Sequence, residues 1–325
     1  MGRAAAIAVL LLLLIGAGTP GVAASFAHRT SQGGDEMQVS KLAAGVYMVA
    51  GTGGEADVRN QGRVGNAGFI VGRIGVLAID TGTSYLHGRA LLDAIRKVTD
   101  KPVRLAIITH TRQEFLFGAA AFRERGIPIA MQHAAADLMA SRCETCLKTL
   151  RSTLGEEAMR GTTLFEPDIR FSDPLGVNAA GLIGRSVQVL YFGHSSGPGD
   201  IAVFDPDSGT LFAGGLLDAQ RIPDVLDSDL PAWQRALHTL QALPLAVIVP
   251  GHGPAGTKRV ITQVERYLDR LTTRVRALLT AGTPLSEVPD ATALAEFEAW
   301  DHYDTVHRRN AAVVYLRYER EQLLK

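Results

Sequence analysis

Residues 103–115 read VRLAIITHTRQEF, an apolar run followed by a polar segment that contains a histidine. The apolar, β-rich run Val103–Ile108 predicts a buried strand, which stops at the polar residues Thr109 and His110. A histidine in a loop directly after a strand can be presented to a site by a rigid sheet. The same arrangement recurs twice farther along the chain.

Two other stretches place a histidine after an apolar strand. Residues 187–194 read VQVLYFGH, and residues 245–253 read LAVIVPGHG, so His194 and His252 follow predicted strands as His110 does. Three histidines in equivalent strand-end loops favour one shared site over three unrelated structural roles. Four other histidines lack this context and are predicted to be structural or exposed: His133, His238, His302 and His307.

The pattern of strands and helices indicates a mixed sheet with helices outside. Strands over 67–71 and 76–79 come first, and later strands alternate with helical segments. Helices are predicted over 88–98 and 116–125, and a further one begins at Pro231 with Asp229 as its cap. No repeat or second-domain boundary is evident, so we predict a single domain over residues 37–325.

The composition is that of a globular protein whose positive and negative charges balance. The chain has 325 residues, of which 46% are hydrophobic and 20% charged, enough apolar material for a sizeable core. Lys+Arg and Asp+Glu number 33 each. Because no net charge attracts polyanions, nucleic acid is not an expected partner.

The first residues have the layout of a secretion signal. Arg3 precedes an apolar run over 4–15, and Val22-Ala23-Ala24 is a small-residue cleavage site. A membrane anchor would need about 20 apolar residues, and glycine and proline interrupt this run earlier. We predict a signal peptide over 1–24, a flexible segment over 25–36, and a periplasmic or secreted mature protein with no membrane span.

The chain has two cysteines, Cys143 and Cys146, in a segment with helical spacing. Two thiols cannot complete a four-ligand zinc site. An oxidising compartment favours a local disulfide between them, and two idle thiols on a helix surface are the alternative.

Four motifs occur in the order found in metallo-β-lactamase-fold hydrolases, and the chain resembles that family from about Val46 to Pro254. They are Thr109-His110-x-x-x-Glu114, Gly193-His194-Ser195-Ser196-Gly197-Pro198-Gly199-Asp200, Leu211-Phe212-Ala213-Gly214 and Pro250-Gly251-His252-Gly253. The resemblance implies a four-layer αββα sandwich. Further motifs resemble the exported quinoprotein relay system zinc metallohydrolases: Arg221-Ile222-Pro223, Asp227-Ser228-Asp229, Trp233 and His307-Arg308-Arg309-Asn310.

The chain departs from the family's metal motif at four of seven positions. The family pattern His-x-His-x-Asp-His reads here as His110, Arg112, Glu114 and Phe115, and the bridging aspartate is replaced by Gly215. Arginine stays protonated and cannot ligate a metal. The resemblance therefore implies at most one zinc ion, with four remaining candidate ligands: His110, Glu114, His194 and His252. Asp218 is not expected to reach the bridging position.

Two alternative functions are compatible with a metal motif that has lost several ligands. The first is a mononuclear zinc hydrolase in which Glu114 orients or deprotonates a water and Arg112 binds substrate or pairs with Glu114. The alternative is a non-catalytic binding or assembly protein that has lost the metal centre. In both cases the expected partner is a small molecule or a periplasmic quinoprotein.

Overall fold

The computed structural model describes residues 37–173 and 178–324. Within these residues a seven-stranded sheet follows chain order, antiparallel from the first strand to the fourth and parallel from the fourth to the seventh. Its strands are β1 Val39–Ala43, β2 Val46–Val49, β3 Ala67–Val71, β4 Val76–Ile79, β5 Val103–Ile108, β6 Ile129–Gln132 and β7 Ile169–Phe171. The predicted signal peptide and flexible segment, 1–24 and 25–36, lie outside the described residues.

A second sheet of four strands packs against the first. Its order is β11-β10-β9-β8, with the strands β8 Gln188–Tyr191, β9 Ile201–Asp205, β10 Thr210–Phe212 and β11 Val247–Val249. Ile70 and Ile107 of the first sheet share one buried apolar cluster with Val203, Phe212 and Val249 of the second. This cluster is the central layer of the core.

Helices cover the outer face of each sheet. The first sheet is covered by α1 Tyr85–Val98, α3 Ala119–Glu124 and α4 His133–Leu154, and the second by α6 Leu230–Ala242, α7 Arg259–Thr280 and α9 Arg308–Leu323. The remaining short helices are α2 Gln113–Leu116, α5 Ala179–Ile183 and α8 Val288–Ala291. The layers run helix, sheet, sheet, helix, which is the αββα sandwich expected from the sequence.

The helix predicted over 116–125 is divided in the structure. Helix α2 ends at Leu116 and α3 begins at Ala119, so the chain turns at Gly118. A Cβ atom on Gly118 would lie 1.8 Å from the carbonyl oxygen of Thr81. The break exists because this turn packs directly against the backbone that follows β4, a contact that local periodicity cannot reveal.

The described residues belong to one compact unit, 35–325. Across 37–173 and 178–324, no helix has the length and apolar character needed to cross a membrane.

Candidate functional site

A cleft of about 560 Å³ opens beside the loop that follows β5. Residues from the loops after β5, β8 and β10 line it, and the C-terminal helical region closes one side. The polar and charged lining residues are Glu55, His110, Thr111, Arg112, Gln113, Glu114, Ser196, Asp200, Arg221, Asp224, Asp227, His302, Thr305 and Arg309. His110, Arg112 and Glu114, all predicted from the sequence, are therefore brought together here.

His110 is held by a buried chain of hydrogen bonds. Its Nδ1 lies 2.8 Å from Thr109 Oγ1, and that hydroxyl lies 2.9 Å from Asp80 Oδ2. Since the Thr109 hydroxyl donates its single hydrogen to Asp80, it accepts from Nδ1, which leaves His110 Nε2 unprotonated. Burial, reinforced by Arg112, lowers the pKa of His110 to about 3. His110 is thus a neutral imidazole, and its buried Nε2 has no hydrogen-bond partner among the described residues.

His252 lies between two carboxylates. Its Nδ1 is 2.8 Å from Asp218 Oδ1, and its Nε2 is 3.0 Å from Glu114 Oε1. Burial alone would lower the pKa of His252, but the two acids raise it above its ordinary value. Burial likewise opposes ionisation of Glu114, but His252 and the nearby Arg221 and Arg112 lower its pKa well below the usual range. A carboxylate that binds protons so weakly is a poor general base. Glu114 is therefore poorly suited to deprotonate a water molecule, the role predicted for it from the sequence.

Asp218 has a partner that the sequence did not predict. Its side chain is buried and is hydrogen bonded to His252. A parallel bridge between Asp218 and His252 fixes this pairing. Sequence spacing from the Leu211-Phe212-Ala213-Gly214 motif could not show it, because the pairing joins the loops after two different strands.

His194 does not join the other histidines. Its side chain is exposed, and its Nε2 lies 2.5 Å from the backbone carbonyl oxygen of Asp227. In this arrangement the ring nitrogen serves as a hydrogen-bond donor to the loop before α6. The predicted ligand set of His110, Glu114, His194 and His252 is therefore not assembled in the structure.

The ring of Phe115 separates the two histidines that do lie at the site. Its centroid is 4.4 Å from that of His110 and 5.2 Å from that of His252. The side chain is 1% exposed, and it packs closely against Gly65. An apolar ring thus packs against both imidazoles, at the position where the family motif has a histidine.

Gly215 has no room for the missing aspartate. A Cβ atom there would lie 2.7 Å from His110 Cδ2 and 3.0 Å from Ser196 Oγ. Side chains therefore already occupy the space into which a bridging carboxylate would extend.

Arg112 pairs with Asp224, and not with Glu114, which was one of the partners considered from the sequence. Its Nη1 lies 3.2 Å from Asp224 Oδ2, and Nη2 of Arg309 lies 2.7 Å from the same oxygen. One carboxylate is therefore shared by two guanidinium groups. Asp224 and Arg309 were not predicted as site residues. Arg309 belongs to the segment His307-Arg308-Arg309-Asn310 that carried the subfamily resemblance, whereas Asp224 directly follows the segment Arg221-Ile222-Pro223.

Asp200 is a buried acid at the back of the cleft. Its Oδ2 accepts hydrogen bonds from Ser196 Oγ at 2.7 Å and Gly197 N at 2.9 Å, whereas its Oδ1 has no partner among the described residues. Burial raises the pKa of Asp200 to about 6. This acid and its turn form the inner wall of the cleft.

The donor arrangement does not fit a zinc centre. Zinc in a hydrolytic site takes about three protein ligands and one open position. In residues 37–173 and 178–324, no group of three His, Cys, Asp or Glu side chains is placed to hold a metal ion. Phe115 separates His110 from His252, and His194 is committed to a backbone carbonyl.

The family assignment rests on comparison with known proteins. The model of the metallo-beta-lactamase superfamily matches residues 60–252, more than half of the chain, and the chain belongs to this superfamily. It is 26% identical over 226 residues to a linear primary-alkylsulfatase from Pseudomonas sp., an alignment that covers 59% of this chain and 42% of that protein. The chain thus spans less than half of that relative's length.

Solved structures share the fold. A metallo-beta-lactamase from Pontibacter korlensis superposes with a TM-score of 0.57 at 22% identity, covering 72% of this chain and 99% of that one. The DIM-1 metallo-beta-lactamase gives a TM-score of 0.54 at 15% identity, covering 72% and 97%. The predicted fold is confirmed, and this chain belongs to a family of hydrolases.

Proposed function

We propose that this protein uses the cleft of a metallo-beta-lactamase fold to bind a small amphiphilic anion, without a two-metal hydrolytic centre. The observation that carries the proposal is the Phe115 ring between His110 and His252. An apolar ring at this point offers no lone pair to a metal, and Arg112 adds a permanent cation to the same cleft.

The anionic part of the ligand is recognised by arginine. Arg112 and Arg309 share Asp224, so one positive charge near that carboxylate is not neutralised by it. Arg221 also lines the cleft and is anchored by a hydrogen bond to the carbonyl oxygen of Gly54 at 2.8 Å. Planar guanidinium groups bind carboxylate, sulfate or phosphate oxygens in a bidentate manner.

The apolar part of the ligand has its own contact surface. Leu138, Pro198, Leu226 and Val306 line the same cleft, and the side chain of Leu226 is 45% exposed. Cations beside exposed apolar side chains suit a molecule with one charged head and a hydrocarbon tail. The related alkylsulfatase is named for linear primary alkyl sulfates, which have this chemistry.

Calorimetric titration with hexyl sulfate tests the proposal. Saturable binding at one site per chain is expected, with hexanol binding at least about tenfold more weakly, a difference of about 1.4 kcal/mol. Arg309→Gln should weaken hexyl sulfate binding. Arg320→Gln, an exposed position on the same helix α9, should leave it unchanged and serves as the charge-matched control. Equal binding of the sulfate and the alcohol would contradict the proposal.

A mononuclear zinc hydrolase is a second candidate, favoured by the unprotonated and partnerless Nε2 of His110. It would require His194 to leave the carbonyl of Asp227. Elemental analysis of protein purified without added zinc separates the two functions. One zinc ion per chain, lost in His110→Ala, would support the hydrolase, and a zinc-free protein that binds hexyl sulfate would support the binding protein.

The proposal also includes export and a role near periplasmic quinoproteins. The support is the signal-like pattern over 1–24 together with the subfamily motifs around Arg221 and Arg309. Binding of the purified protein to a quinoprotein dehydrogenase, measured by surface plasmon resonance, tests that partnership.

A further inference from the structure

The two cysteines lie on the wall of the cleft. Cys143 and Cys146 are three residues apart on α4 and therefore share one face of the helix. Cys146 is half-buried and lines the cleft, whereas Cys143 is buried at 1% exposure behind it. Both are free thiols in the structure, so the predicted disulfide is not formed there. Because the sequence contains only these two cysteines, an internal disulfide can join no other pair.

The environments of the two thiols differ in a way that suits sequential reaction. Cys146 Sγ donates a hydrogen bond to the carbonyl oxygen of Arg142 at 3.5 Å, and Cys143 lies buried on the same helix face. The hydrogen bond from Cys143 lowers the pKa of Cys146 to about 7, and the same hydrogen bond, together with burial, raises the pKa of Cys143. The thiol that solvent can reach is thus also the one that ionises near neutral pH, and thiolate is the reactive form.

We propose that Cys146 and Cys143 form a thiol–disulfide exchange site that takes small disulfides through the cleft. The Cys146 thiolate attacks a disulfide R–S–S–R, which forms a mixed disulfide and releases one RS⁻. Cys143 then loses its proton and attacks Cys146 Sγ, which closes the internal disulfide and releases the second RS⁻. Two electrons pass from the cysteine pair to the small disulfide, and the two released thiolates take up the two protons.

The position of the pair within a helix makes the internal disulfide reversible. Cβ atoms three residues apart on a helix are about 5–6 Å apart, whereas a disulfide holds them at about 3.5–4.5 Å. Closing the bond therefore requires α4 to tighten locally, and strained disulfides are reduced readily. Oxidation also pulls Cys146 toward Cys143 and changes the wall of the cleft.

Mass spectrometry of the full chain tests the site. Reduced protein is treated with glutathione disulfide at neutral pH, quenched with iodoacetamide at timed intervals and digested. Wild type should end as the Cys143–Cys146 disulfide, with a glutathione adduct appearing earlier on Cys146. Cys143→Ser should stop at that adduct, and Cys146→Ser should react at least about tenfold more slowly because its one remaining thiol is buried.

Unfolded protein in urea provides the control, since both thiols should then react at similar rates. Folding of each variant is checked by circular dichroism, and site-resolved labelling of wild type gives the same ranking of the two thiols without any substitution. The proposal is overturned if folded wild type does not react, if it keeps the glutathione adduct without closing, or if Cys146→Ser reacts as fast as wild type.

Discussion

At the scale of single residues, three substitutions reshape one small volume. Phe115 fills the space between His110 and His252, Gly215 leaves room for the His110 ring, and Arg112 turns toward Asp224. The ring of His110 can occupy its position only while Gly215 has no side chain, and Phe115 packs against the same ring. The altered motif is therefore a packed arrangement and not a set of isolated losses.

Gly215→Ala tests this packing. The added Cβ would approach His110 Cδ2 to 2.7 Å, so we expect the free energy of unfolding to fall by about 1–3 kcal/mol, the usual cost of overpacking. Gly197→Ala is the matched control, since its Cβ would lie 3.8 Å from its nearest neighbour, Asp200 Oδ1. Urea unfolding measures both variants, and equal stabilities would show that the site can accommodate a side chain.

Asp80→Asn should change how stability depends on pH. Burial raises the pKa of Asp80 from 3.8 to about 7 in the folded protein, although Thr109 donates hydrogen bonds to it. The folded state therefore holds this proton more tightly, so its contribution to stability is fully present below pH 3.8 and is lost as the pH rises through about 7. Asparagine does not titrate, so the variant should lack this pH dependence of stability.

Urea unfolding at a series of pH values checks this expectation. The stability of Asp80→Asn relative to wild type should increase as the pH rises from about 4 to about 7. Curves that stay parallel over this range would show that Asp80 does not titrate as stated.

At the scale of elements, the site depends on loops that begin where strands end. His110 follows β5 and His252 follows β11, as the sequence predicts, but the loop after β8 directs His194 to the carbonyl of Asp227. The carbonyl of Asp227 lies just before α6. The position of His194 therefore depends on where this helix begins.

The cap of α6 provides a test at this scale. Asp229 Oδ1 accepts a hydrogen bond from Ala232 N at 2.8 Å, as expected for an N-terminal cap. Asp229→Ala should lower the free energy of unfolding by about 1 kcal/mol, whereas Asp229→Asn, which keeps an acceptor oxygen, should cost much less. Thermal and urea unfolding compare the two variants, and an equal loss in both would rule out the capping hydrogen bond as its cause.

At the scale of the whole molecule, the two sheets share a core and present the cleft at one edge. The described residues lie within the unit 35–325, and the segment predicted to direct export precedes it.

Export is tested on the mature protein. We expect cleavage after Ala24, because the apolar run over 4–15 and the Val22-Ala23-Ala24 site follow the layout of a secretion signal. Intact-mass and N-terminal sequencing of protein recovered from the periplasm or medium should find Ser25 as the first residue. A mature chain that still begins at Met1 would contradict the prediction.

Local sequence patterns located three strands and the loops that carry His110 and His252, and the family resemblance implied the four layers. Apolar runs with strand periodicity, ended by turn residues, predicted β3, β4 and β5 with their observed bounds, because that pattern is local. The positions of His110 and His252 after strands followed from the same pattern. The β1, β2 and β7 strands were not predicted, and the first of these contains no fully buried residue.

Which side chains meet depends on tertiary packing and could not be predicted from local patterns. The Asp218–His252 pair joins loops after two strands, and the two arginines that share Asp224 come from segments almost 200 residues apart. Likewise, the Phe115 ring separates two histidines whose positions depend on different sheets. Strand periodicity is a property of neighbouring residues, whereas the direction of a side chain at a strand end depends on the packing of distant segments around it.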